Sequence, residues 1–130
     1  MERKTQHACG YDIMADCCGE LLPGQRCIIP LKTKGSDINW PVGTFGQLKM
    51  RSSLANKFGL MVLGGVIDSD YQDTIKLIVY NSGDELFTWD IGERVCQIVF
   101  QYFAKIGDEV TNQRTGGFGS TNIGDTHVQG

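Results

Sequence analysis

The chain has 130 residues, 41% hydrophobic and 21% charged, with a net charge of −3. That length suits one domain with a real core, and the acidic balance excludes tight nonspecific binding to a nucleic-acid backbone. Seventeen glycines against three prolines predict many turns rather than disorder, and five cysteines without a CxxC pair argue for free thiols and against a zinc site.

The opening residues, "MERKTQHACGYD", contain no apolar signal core, and no run approaches membrane-spanning length. A cytosolic setting (or a nuclear one) with reduced thiols is the expectation. "RCIIPLKT" (26–33) reads as a strand that Pro30 confines to an edge or a bulge. In "GTFGQLKM" (43–50), Phe45, Gln47 and Lys49 alternate with Gly46, Leu48 and Met50, again a strand pattern. "RSSLANKFGL" (51–60) predicts a short helix with Ser52 or Ser53 as N-cap and Gly59 at its end. Its amino end would offer N–H groups to an anion.

The stretch "GGVIDSDYQDT" (64–74) crowds Asp68, Asp70 and Asp73 around Tyr71, between the apolar runs "LMVL" and "IKLIVY". Beyond it, "TIKLIVYN" (74–81) is rich in β-branched residues. "LFTWDI" (86–91) sets Phe87, Trp89 and Ile91 on one face, and "RVCQIVFQYF" (94–103) sets Cys96, Ile98, Phe100 and Tyr102 opposite Gln97 and Gln101. Turn signals such as "LPGQ", "WPVG" and "NSGDE" separate these strands, which predicts an all-β sandwich or jelly roll. From residue 107 onward the chain is poor in apolar residues, with Arg114 and Phe118 set among glycines. We read residues 1–130 as one domain, with 107–130 as a C-terminal arm of the composition that closes over a ligand.

Five short motifs, "ACGYDIMA" (8–15), "RSSLA" (51–55), "GGVIDSDYQD" (64–73), "GERVCQIV" (92–99) and "RTGGFGST" (114–121), stand in the order and spacing of one family. The chain resembles the trimeric dUTP pyrophosphatases (dUTPases). The resemblance implies an all-β jelly roll of the β-clip type, a homotrimer, and active sites at subunit interfaces. It also implies Mg²⁺-dependent hydrolysis of dUTP to dUMP and pyrophosphate, which limits uracil incorporation into DNA and supplies dUMP for thymidylate synthesis.

By the same resemblance, Asp68 is the catalytic carboxylate that aims water at the α-phosphorus. Tyr71 lies under the deoxyribose and rejects a 2′-hydroxyl. The hairpin backbone from Gly65, Val66 and Ile67 to Lys76 reads uracil. Asp12 acts on the metal through water, while Arg51, Ser52, Ser53 and Gln97 take phosphate oxygens. Arg114, Phe118, Gly119, Ser120 and Thr121 close from the arm, with Phe118 stacked on uracil. The last motif has one residue fewer between its arginine and its aromatic than the family's common form. Two other readings are a dCTP deaminase-like enzyme of the same fold and a regulatory, nucleotide-sensing or protein-binding relative. The deaminase needs a pocket glutamate, and "QDTIKLIVYN" (72–81) offers none.

Overall fold

The computed structural model describes residues 1–107. The arm positions Arg114, Phe118, Gly119, Ser120 and Thr121 lie outside the described residues. In chain order the elements are β1 (Glu2–Arg3), β2 (Gly10–Met14), β3 (Gly19–Leu21), β4 (Arg26–Lys34), a 3₁₀ turn (Gly35–Asp37) and β5 (Thr44–Met50). They continue as α1 (Ser52–Phe58), β6 (Leu60–Leu63), β7 (Val66–Ile67), β8 (Thr74–Asn81), β9 (Phe87–Trp89) and β10 (Arg94–Tyr102). The strands form a five-stranded sheet ordered β1-β2-β10-β5-β7, a three-stranded sheet ordered β4-β8-β6, and the pair β3-β9. This is the expected all-β architecture with one short helix.

Period-two alternation decides which side chains enter the core. β8 sends Ile75, Leu77 and Val79 inward, β4 sends Ile29 and Leu31, and β5 sends Leu48. They meet Ile13 and Ile98 from the five-stranded sheet and Phe87 and Trp89 from β9 in one hydrophobic cluster. Each such aliphatic side chain contributes about 1.5–3 kcal/mol on burial. Asn81, fully buried at the end of β8, is satisfied: its amide donates to the carbonyls of Leu21 (3.0 Å) and Glu85 (2.8 Å), and its Oδ1 accepts from Gly83 N–H.

Pro30 behaves as its chemistry requires. β4 is an outer strand of its sheet, and the register against β8 shifts between Pro30 and Lys34. Gly59 ends α1 in the left-handed region (φ 70), as expected. Three expectations are corrected. Arg51, not Ser52 or Ser53, is the N-cap, and no side chain caps the helix. Ile91 is 59% exposed, because β9 stops at Trp89 and the chain turns at Gly92 (φ 89). Tyr102 is 81% exposed, because the end of β10 runs past the core. An irregularity between Arg94 and Cys96 also buries Val95 and Cys96 together, where strict alternation would bury one of them.

The segment 64–74 is not a hairpin between two paired strands. β7 pairs with β5 in the five-stranded sheet, whereas β8 pairs with β4 and β6 in the other. Gly64 (φ 67) and Gly65 (φ 98) make the crossing, since two consecutive left-handed residues turn the chain from one sheet to the other. Gly65 is buried against β5, where its carbonyl accepts from Leu48 N–H at 2.8 Å.

Candidate active site

The expected phosphate-side residues come together on one sheet. Gln97 of β10 pairs with Asp12 of β2 on one side and with Lys49 of β5 on the other. Partners in an antiparallel ladder project to the same face, so a carboxylate and an amide stand next to each other opposite the core face of Cys96 and Ile98. Gly10 makes room for this: a Cβ there would overlap the Gln97 amide oxygen. Sequence reading gave Gly10 no role, although it lies inside the first motif.

Arg51 closes the end of this row. Its Nε lies 4.0 Å from Asp12 Oδ1, and its Nη1 donates to the Arg94 carbonyl at 3.0 Å. The guanidinium therefore ties the start of α1 to both β2 and β10. Asp12 is only 9% exposed, and Arg51 is the cation beside it. Arg94 in turn pairs with Glu2, which fastens β1 to the sheet. Ser52 and Ser53 are exposed beside Arg51 at the first turn of α1, where the leading N–H groups have no partner within the helix. Beneath the row, burial pushes the Cys96 thiol up to about 12, with the Asp12 carboxylate adding to it, so Cys96 remains a neutral thiol at neutral pH and is no nucleophile.

Asp68, the expected catalytic carboxylate, follows β7 and is exposed; its carbonyl accepts from Tyr71 N–H at 3.0 Å, a tight turn. Tyr71 is 5% exposed and belongs to the core, and its hydroxyl donates to the Thr74 carbonyl at 2.7 Å. Ile67 is 3% exposed with its side chain in the core, so only its backbone is available to a ligand, while Val66 projects outward. Gly65 presents backbone only, and Lys76 lies on β8, paired with Pro30.

One brace of this loop has no sequence signal. The 3₁₀ turn packs against it through Gly35 N–H to the Asp73 carbonyl (2.8 Å) and Ser36 N–H to the Gln72 carbonyl (3.1 Å). Trp40 Nε1 donates to the Gly35 carbonyl at 3.1 Å from the other side. A Cβ on Gly35 would overlap the Tyr71 carbonyl oxygen, which is backbone and cannot swing away. Gly35→Ala is therefore expected to cost about 1–3 kcal/mol of stability and, by displacing the Asp68 turn, about tenfold in kcat. Thermal unfolding and steady-state pyrophosphate release measure the two effects; wild-type values in both would show that the turn does not brace the loop.

A family model described as dUTPase matches residues 1–126. The chain belongs to the dUTPase family. It is similar to the deoxyuridine 5'-triphosphate nucleotidohydrolase of Paramecium bursaria Chlorella virus 1, at 35% identity over 127 residues, covering 93% of this chain and 88% of the relative. The protein of the same name from Eremothecium gossypii is 34% identical over 126 residues, covering 88% of this chain and 77% of its own. The crystal structure of dUTPase from Streptococcus mutans matches with a TM-score of 0.71 and 32% identity, covering 82% of this chain and 88% of that one.

Among the described residues of one dUTPase chain, the expected site residues form two groups that do not meet. Asp12, Gln97 and Lys49 lie in one row, whereas β7 pairs Ile67 with Gly46, which carries Asp68 level with Phe45 at the far edge. Three strand spacings of about 4.8 Å across and four residues of about 3.3 Å along place Asp68 roughly 20 Å from Asp12. That span separates the expected catalytic carboxylate from the expected phosphate row of the same chain.

Proposed function

We propose that this dUTPase hydrolyses dUTP to dUMP and pyrophosphate by attack of water on the α-phosphorus, at sites assembled between the chains of a homotrimer. The observation that carries this reading is the separation of Asp68 from the Asp12–Gln97 row. A cyclic arrangement of three chains offers the Asp68 loop of one to the row of the next, once per interface. Asp68 orients the water and takes its proton, a contribution of about 10²–10⁴ in rate. The backbone at Gly65, Val66 and Ile67, with Lys76 on β8, recognises uracil. Tyr71, held by its bond to Thr74, supplies a rigid surface that leaves no space for a 2′-hydroxyl.

On the neighbouring chain, Gln97 donates its amide N–H to the α-phosphate, and Ser52 and Ser53 donate hydroxyl and backbone groups to phosphate oxygens. Arg51 holds Asp12 in place and contributes positive charge. From the arm, Arg114 meets the γ-phosphate, Phe118 stacks on uracil, and Gly119, Ser120 and Thr121 donate to phosphates; closure excludes bulk water.

Among the described residues no group of three or more His, Cys, Asp or Glu side chains could hold a metal by itself. The hard carboxylate oxygens of Asp12, beside the Gln97 amide, fit Mg²⁺ and would hold its waters. The ion would neutralise phosphate charge and keep the chain of phosphates in one conformation.

Pyrophosphate release from dUTP, UTP, dCTP and dTTP, with and without Mg²⁺, tests the assignment. Release from dUTP alone, dependent on Mg²⁺, is expected. Ammonia released from dCTP would overturn it in favour of deaminase chemistry.

A further inference from the structure

The row that holds Asp12 and Gln97 continues on both sides, to Glu2 of β1 beside Asp12 and to Lys49 of β5 beside Gln97. Lys49 on β5 is the Cα partner of Gln97 on the side opposite Asp12, so carboxylate, amide and ammonium succeed one another on one face. Cβ atoms of such partners lie about 4.5–5.5 Å apart. Lys49 is exposed, and among the described residues no ion pair holds it. The nearby Arg51 is already directed at Asp12 and at the Arg94 carbonyl. Arg51 with Asp12 and Arg94 with Glu2 form two pairs that carry no net charge, so without Lys49 this face meets a highly anionic triphosphate with no net positive charge.

We propose that Lys49 is a further substrate-binding residue of this dUTPase, its ammonium binding oxygens of the β- and γ-phosphates beside the α-phosphate held by Gln97. The inference rests on the phosphate-side reading of Gln97. A flexible four-carbon stem carries the ammonium past the shorter amide, into the space that the phosphates following the first must occupy. Because the contact exists in ground state and transition state alike, it lowers KM and leaves kcat nearly unchanged.

Calorimetric titration of the wild-type protein, Lys49→Met, Lys49→Arg and Gln97→Ala with dUMP, dUDP and the α,β-imido analogue of dUTP decides the matter. Lys49→Met is expected to bind dUMP as the wild type does and to weaken dUDP and the analogue about fivefold, with KM for dUTP raised by the same factor. Lys49→Arg restores most of the loss, and thermal unfolding is unchanged because the side chain is exposed. Undiminished binding of dUDP and the analogue overturns the proposal, as does an equal loss for dUMP, which marks a role at the α-phosphate or in folding. Should Gln97→Ala leave dUMP binding intact, the row is not the phosphate site and both readings fall. If Gln97→Ala weakens dUMP while Lys49→Met changes nothing, only the Lys49 proposal falls.

Discussion

Asp68→Asn is expected to remove nearly all turnover while leaving nucleotide binding and folding close to those of the wild type. The Asp68 carbonyl holds Tyr71 N–H at 3.0 Å, and asparagine keeps that bond. The side chain is exposed, so an isosteric amide changes core packing little. What asparagine cannot do is accept a proton from water. The loss in kcat should therefore be at least about 10²–10⁴, with the dissociation constant of the imido analogue within a few-fold of wild type. Single-turnover pyrophosphate release and calorimetry give the two quantities. A kcat within tenfold of wild type would remove Asp68 from the chemistry.

The second large effect is complementation between two inactive variants. If each site takes Asp68 from one chain and Gln97 with Asp12 from another, Asp68→Asn and Gln97→Ala spoil different halves. Each homotrimer is then defective at every site. Chains mixed equally by co-expression or by refolding together regain intact sites wherever a normal loop meets a normal row. Random assembly around a three-fold axis makes about one quarter of the sites fully intact, so activity should return to about a quarter of wild type. Sedimentation of the mixture checks that three chains associate. Activity no higher than the mean of the two variants would mean that each site is built within one chain, contrary to the roughly 20 Å separation that strand geometry imposes.

Several features were legible in the residues alone. The β-branched residues of "TIKLIVYN" gave β8, the proline in "RCIIPLKT" marked an outer strand with a shifted register, and Gly59 marked the end of the helix. The five motifs identified the family. Others could not be read. Ser52 and Ser53 read as caps, but Arg51 occupies the N-cap position and no side chain caps the helix. Ile91 fits the face of Phe87 and Trp89 by period, yet its strand ends two residues earlier. Gly35 and Gly10 matter through the atoms that face them, Tyr71 O and the Gln97 amide, which come from segments far away in the chain.

Sequence by itself determined the longer strands β4, β5, β8 and β10, most of their buried faces and the chemical groups available for the reaction, because period two and turn chemistry are local properties of a few consecutive residues. Only the tertiary structure decided which strands became neighbours. It placed β7 beside β5 and β8 beside β4, aligned Asp12, Gln97 and Lys49 in one row, and set Asp68 at the far edge. Strand alternation specifies a face and leaves the partner open; the partner follows from how all the apolar faces close on one core, which no single segment encodes.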